Sequence, residues 1–145
     1  MDALPHITVR VTRRFSASPE RVFDALLNPE KAGKFMFATP SGQMVRVEID
    51  ARAGGKFAFV DRRDGEDVAH TGEYVEINRP RRLVFTLSVA KYAQDIARVL
   101  VEIVPLECGC ELTLTHEVRP DRADSMSRIE AGWSGILDGL AATLG

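Results

Sequence analysis

His116 closes the run Leu112-Thr-Leu-Thr-His116, in which apolar and polar residues alternate. A period of two places Leu112, Leu114 and His116 on one face of a strand, so the imidazole goes inward with its apolar neighbours. There it can hydrogen-bond a ligand or take and return a proton near neutral pH. Its plainer role is a core histidine satisfied by a backbone carbonyl or a hydroxyl. His70 and Tyr74 share strand parity with Val68, while Ala69, Thr71, Val75 and Ile77 hold the opposite parity, so the pattern leaves either face of that run free to point inward. Cys108 and Cys110 flank one glycine, too close for an easy disulfide. With His70 and His116 elsewhere they do not make the spacing of four ligands that zinc requires, and both are expected to be reduced and metal-free.

Nucleophile chemistry has no signature in the chain. There is no Gly-x-Ser-x-Gly elbow, neither cysteine lies beside a histidine, and no glycine-rich phosphate loop joins a strand to a helix. Arg79, Arg81 and Arg82, with Arg62 and Arg63 on another turn, read as solvated hairpin charge.

The elements that must position these groups follow from periodicity and turn chemistry. Ile7, Val9 and Val11 alternate as a half-buried strand. Ser18-Pro19-Glu20 supplies an N-cap hydroxyl, a proline at the first helical position and an acid in the first turn, ahead of the stripe Val22, Phe23, Leu26, Leu27. Asn28-Pro29 ends that helix and starts a second, from Pro29 to about Lys34. Phe35-Met36-Phe37 packs beyond it, and Thr39-Pro40-Ser41-Gly42 is a loop. Alternating runs then follow at Val45/Val47/Ile49, Phe57/Phe59, Val68 to Ile77, Leu83/Phe85/Leu87/Val89, Val99/Val101/Ile103 and Leu112/Leu114. Gly54-Gly55, Asp64-Gly65, Asn78-Arg79-Pro80 and the segment Pro105 to Gly109 join them, with a polar break at Lys91 to Asp95. Antiparallel hairpins result, making seven strands with the first. Met126, Ile129, Trp133, Ile136/Leu137, Leu140 and Leu144 then recur three and four apart, which predicts an amphipathic helix from about Asp121 to Leu144 with Trp133 facing the sheet. Such a helix is roughly 35 Å long.

With 145 residues, 45% hydrophobic and 28% charged, the chain reads as a single domain over residues 1–145 that needs neither metal nor disulfides to hold a core. Nineteen basic against 21 acidic residues lack the excess positive charge of a general nucleic-acid binder. No apolar stretch approaches the ~20 residues that span a bilayer. The first residues lack a basic segment followed by an apolar one, so a cytoplasmic protein is expected.

The segments Phe15-Ser-Ala-Ser-Pro-Glu-Arg-Val-Phe-Asp-Ala25, Ala53-Gly-Gly-Lys-Phe57, His70-Thr-Gly-Glu-Tyr-Val-Glu-Ile77, Arg82-Leu-Val-Phe-Thr86, Leu112-Thr-Leu-Thr-His116 and Gly132-Trp-Ser-Gly-Ile-Leu-Asp-Gly-Leu140 stand in order along nearly the whole chain. Together they resemble the START-like (SRPBCC) superfamily, within it the activator of heat-shock-protein-90 ATPase homologue branch. The resemblance implies an α+β helix-grip fold: a curved seven-stranded antiparallel sheet wrapped around the long C-terminal helix, with two short helices after the first strand. It also implies a role as a binder of a small hydrophobic molecule, with a cofactor-free cyclase or hydrolase using a cavity histidine, or a chaperone-contacting module, as alternatives. No cofactor is implied. Where relatives often carry tryptophans, this chain has Leu26, the Phe35-Met36-Phe37 region and Leu87, so its cavity wall is its own.

A curved sheet fits a straight helix poorly at its ends, and Gly132, Gly135 and Gly139 are expected to thin the helix there and leave an elongated apolar cavity. Phe23, Phe35, Phe57 and Phe85 would line it with Trp133 and Leu137, and His116, His70 and Tyr74 would be its polar points. An aromatic plug filling that space is the competing outcome.

Overall fold

The computed structural model describes residues 7–37, 42–89, 97–118, 124 and 126–144. Strand β1 (Ile7–Phe15) buries Val9, Val11 and Phe15 and turns Thr8, Arg10, Thr12 and Arg14 toward solvent. Ser18 then caps α1 (Pro19–Leu27), its hydroxyl accepting from the Arg21 amide at 3.2 Å. Asn28 serves two helices at once. Its own amide donates to the Asp24 carbonyl at 3.0 Å and closes α1, while its side-chain oxygen accepts from the amides of Glu30 (2.9 Å) and Lys31 (3.2 Å) and opens α2 (Pro29–Phe35). One residue therefore makes the corner between the helices.

Six more strands follow: β2 (Gln43–Ile49), β3 (Lys56–Arg63), β4 (Glu66–Asn78), β5 (Arg82–Val89), β6 (Ala97–Leu106) and β7 (Gly109–Val118). They form one antiparallel sheet in the order β1-β7-β6-β5-β4-β3-β2. Its two edges, β1 and β2, are consecutive strands, so the linking α1 and α2 must pass from one edge to the other. The long helix α3 (Met126–Leu144) packs against β1, α1 and α2 and buries Trp133, Ile136, Leu137 and Leu140. The start near Asp121, the loop at 39–41 and the break at 91–95 fall outside the described residues.

Several expectations need correction. A bulge between Met44 and Arg46 turns Val45 outward, so Met44, Val47 and Ile49 pack on the core in place of the expected Val45/Val47/Ile49 alternation. A second bulge between Tyr74 and Glu76 divides β4: His70 and Tyr74 are buried before it, and Ile77 packs inward after it. That is why no single parity describes the run. Strand β6 continues through Pro105 to Leu106, which places Cys108 in the turn and Cys110, buried, on β7. Helix α2 runs one residue past Lys34, to Phe35.

The helical glycines also divide. Gly132 and Gly135 are exposed, and a Cβ on either would meet nothing within 4 Å, so they thin no cavity. Gly139 is the close-approach position, since a Cβ there would lie 2.7 Å from the Cβ of Phe35 on α2. Gly135→Ala is expected to stabilise by about 0.5–1 kcal/mol through helix propensity. Gly139→Ala pushes two helices apart and is expected to cost about 1–3 kcal/mol, outweighing that gain. Urea unfolding of the two variants measures both; a stabilised Gly139→Ala protein contradicts the packing described.

Candidate functional site

Phe57 on β3, Tyr74 on β4 and Phe85 on β5 form an aromatic cluster on the concave face, with ring centroids 5.3 Å (Phe57–Tyr74), 5.5 Å (Phe57–Phe85) and 6.5 Å (Tyr74–Phe85) apart. Gly72 makes it possible. It pairs with Phe57 across the strands, and a Cβ there would lie 2.6 Å from the Phe57 ring and 1.9 Å from the Thr86 carbonyl oxygen. Burial, and then the charge of Asp50, push the Tyr74 phenol far above its ordinary value. Together with Phe59, Phe37, Leu26, Met36 and Leu83 these rings enclose a space of about 10 Å³. That is room for about one water, so these side chains nearly fill the interior they line.

Beside this cluster lies a group of polar side chains, two of which the sequence reading had placed inward. The Trp133 indole donates to Nδ1 of His116 at 2.8 Å, and both residues are buried. Nδ1 is therefore the lone-pair nitrogen of a neutral imidazole, with the ring proton on Nε2. This indole is one partner of the imidazole, where the sequence suggested a carbonyl or hydroxyl. His70 is 7% exposed and stacks on Phe37, with centroids 4.5 Å apart and planes inclined by 6°. Its Nδ1 is buried without a hydrogen-bond partner. Burial first, then the nearby Arg63 charge, hold its pKa below the ordinary value against opposing contributions from backbone groups of Phe59 and Val68 and from Asp61.

Phe37 and Asp61 carry no site role in the sequence reading, and Arg63 figures there only as surface charge. Phe37 follows α2 with φ +58°, a left-handed conformation that is rare for a bulky side chain. Its ring also packs edge-to-face with Phe59 (5.6 Å) and Trp133 (5.7 Å). Asp61 is fully buried and accepts from Arg63 Nε at 2.7 Å, while Arg63 Nη2 donates to the Phe37 carbonyl at 3.2 Å. Arg63 is thus a bracket for the Phe37 turn and not solvated hairpin charge. Asp61 was readable, because it extends the inward parity of Phe57 and Phe59.

The other expected site residues are buried as well. Phe23 and Leu137 lie in the core, and Phe35 faces Gly139 and not the aromatic space. At another part of the molecule Arg14, Phe15, Arg21 and Leu144 border an open cleft of about 290 Å³. There Arg14 pairs with Glu111 (3.0 Å) and Arg21 donates to the Leu144 carbonyl (3.0 Å), which anchors the last turn of α3. Among the described residues no three His, Cys, Asp or Glu side chains are grouped to hold a metal ion, and Cys108 and Cys110 are free thiols. No described helix is long and apolar enough to cross a membrane.

A seven-stranded antiparallel sheet closed on one long C-terminal helix, its edge strands bridged by two short helices, is the helix-grip architecture of START-like proteins. Within that class the chain belongs to the family described as activator of Hsp90 ATPase homolog 1-like protein, which matches residues 16–145. Its fold is similar to that of protein CV1439 from Chromobacterium violaceum, at TM-score 0.83 and 31% identity over 93% of this chain and 94% of that one. Protein NE0264 from Nitrosomonas europaea (TM-score 0.82, 20% identity, 95% and 94% covered) shares the fold. So does SA2116 from Staphylococcus aureus, a protein of unknown function (TM-score 0.83, 17% identity, 96% and 93% covered). No curated protein matches the chain.

Two measurements test the polar group. Trp133→Phe keeps an aromatic ring but removes the N–H, and is expected to cost about 1–3 kcal/mol by leaving a buried imidazole nitrogen unmatched. Adding His116→Leu should recover part of that loss; strictly additive costs in the double-mutant cycle show that the bond couples nothing. For His70 the folded pKa lies below the unfolded 6.5, so the unfolded chain binds the proton more readily. The stability His70 contributes is complete above about pH 6.5 and is lost as pH falls toward its folded value. His70→Phe, which stacks but does not titrate, should therefore flatten the decline in urea midpoint between about pH 7 and 5. An unchanged slope assigns that decline to other groups.

Proposed function

We propose that the protein binds a small apolar molecule against the aromatic face of β3 to β5, under the end of α2 and beside Trp133 of α3, and returns it unchanged. The observation that supports this most is an interior wall of aromatic side chains with one buried, unmatched polar atom, His70 Nδ1, beside it. A core built only for stability has no use for an unsatisfied nitrogen, which costs about 1–3 kcal/mol when buried. Apolar sites for small molecules, by contrast, are mostly hydrophobic with a few placed polar groups. His116, the alternative acid–base group of a cyclase or hydrolase, has its Nδ1 lone pair occupied by Trp133, which favours a structural place for it. The space as it stands is about one water in size, so a ligand enters by displacing a side chain. The family's description names activation of the Hsp90 ATPase, and contact with a chaperone is the remaining reading of this chain.

Native mass spectrometry of freshly purified protein, followed by denaturing extraction, tests the proposal. An apolar adduct of a few hundred daltons that is released unmodified is the expected result. A chemically altered product points to catalysis. The absence of any adduct, together with no NMR shift changes in the interior rings on adding toluene, p-cresol or naphthalene, overturns binding.

A further inference from the structure

We infer that Phe37 is a built-in occupant of the ring-binding slot, and that the ligand is a planar ring that takes its place on His70. This rests on the binding reading above and goes further by naming the side chain that yields and the shape that replaces it. The slot has three walls. The His70 imidazole is its floor, 4.5 Å from the Phe37 centroid and parallel to within 6°. Trp133 and Phe59 present their rings at 64° and 65° to Phe37, from 5.7 and 5.6 Å. These are the offset-stacked and edge-to-face arrangements that aromatic rings prefer, and a saturated ring of equal size cannot reproduce them. Trp133 is held by its bond to His116, so that wall is rigid.

Phe37 itself is differently placed. It sits at a turn with φ +58°, a conformation costly for a bulky residue, and its carbonyl is held by Arg63 from the buried Asp61. The backbone is thereby strained into the position that fills the slot, and leaving it relieves that strain. Strain kept at a position that closes an otherwise complete site is the arrangement expected of a residue that competes with ligand. Apparent affinity in such a protein falls by the fraction of molecules in which the slot is open.

Trp133 is the only tryptophan of the chain and borders the slot, so its fluorescence reports occupancy. Toluene and methylcyclohexane are titrated into the wild-type protein, Phe37→Ala and Phe85→Ala; the last removes an equal ring from the aromatic wall outside the slot. Phe37→Ala is expected to bind toluene at least tenfold more tightly than wild type and to prefer it over methylcyclohexane at least fivefold, with no such preference in Phe85→Ala. If Phe37→Ala does not fold, Phe37→Leu is read in the same way, with a smaller gain and the same preference for the planar probe. Equal gains for both probes in Phe37→Ala mean a featureless void and overturn the inference. Toluene binding to wild type with no gain in Phe37→Ala or Phe37→Leu also overturns it, while leaving interior binding intact. Binding to none of these proteins, with no adduct on the purified protein, removes both readings.

Discussion

A buried indole has one donor and cannot leave it unmatched without cost, and here the matching acceptor stands on the opposite layer. Trp133 on α3 meets His116 on β7, so a single directional bond sets where the long helix sits along the sheet. Apolar contacts alone would tolerate a helix shifted by a fraction of a turn; this bond does not. Six residues further on, the same placement brings Gly139 under Phe35, where only a hydrogen fits between α3 and α2. Seven residues before Trp133 lies Met126, the start of the helix. Trp133 then becomes a wall for Phe37, and through Phe37 for His70.

The fold was legible because its signals are local. Alternation gave the strands, Ser18-Pro19 and Asn28-Pro29 gave the two short helices, and three-four spacing gave α3 with Trp133 inward. The site was legible only where a strand stayed regular. His116 follows the undisturbed β7 pattern and was placed correctly, whereas His70 and Tyr74 share a strand with a bulge that reverses its parity partway. Phe37 left no pattern to read, since its importance comes from a left-handed turn and from rings on β3, β4 and α3 that are remote in sequence. Gly135 was misjudged for a different reason. It stands two residues after Trp133, about 200° around the helix, and so faces away from the sheet.

Charge on the outer surfaces fastens elements to one another. Arg79, in the turn after β4, holds both carboxylate oxygens of Asp24 on α1 at 2.7 and 2.9 Å, and that pairing keeps the Asp24 carboxyl below its usual range. Arg82 bridges Glu76 and Glu102 on the neighbouring strands, at 3.2 and 3.1 Å. Between them lies Val84, fully buried although its strand parity sets it on the side away from the core cluster. The long side chains of the pairing residues cover apolar surface there while their charged ends stay wet. Each such exposed pair contributes little alone, about 0–1 kcal/mol.

The pairing of β1 with β7 sets an order of assembly during synthesis. Ile7 lies opposite Val118, so β1 leaves the ribosome 111 residues before its partner position is made. At about 5–20 residues per second the delay is of the order of 5–20 s. The meander from β2 to β6 pairs only neighbours in sequence and can form meanwhile. Throughout that interval Val9 and Val11 lack their cover, and nascent β1 is an open edge available to any passing strand. Until Gly109–Val118 has left the ribosome, the strands from β2 to β6 can pair while β1 still lacks its neighbour.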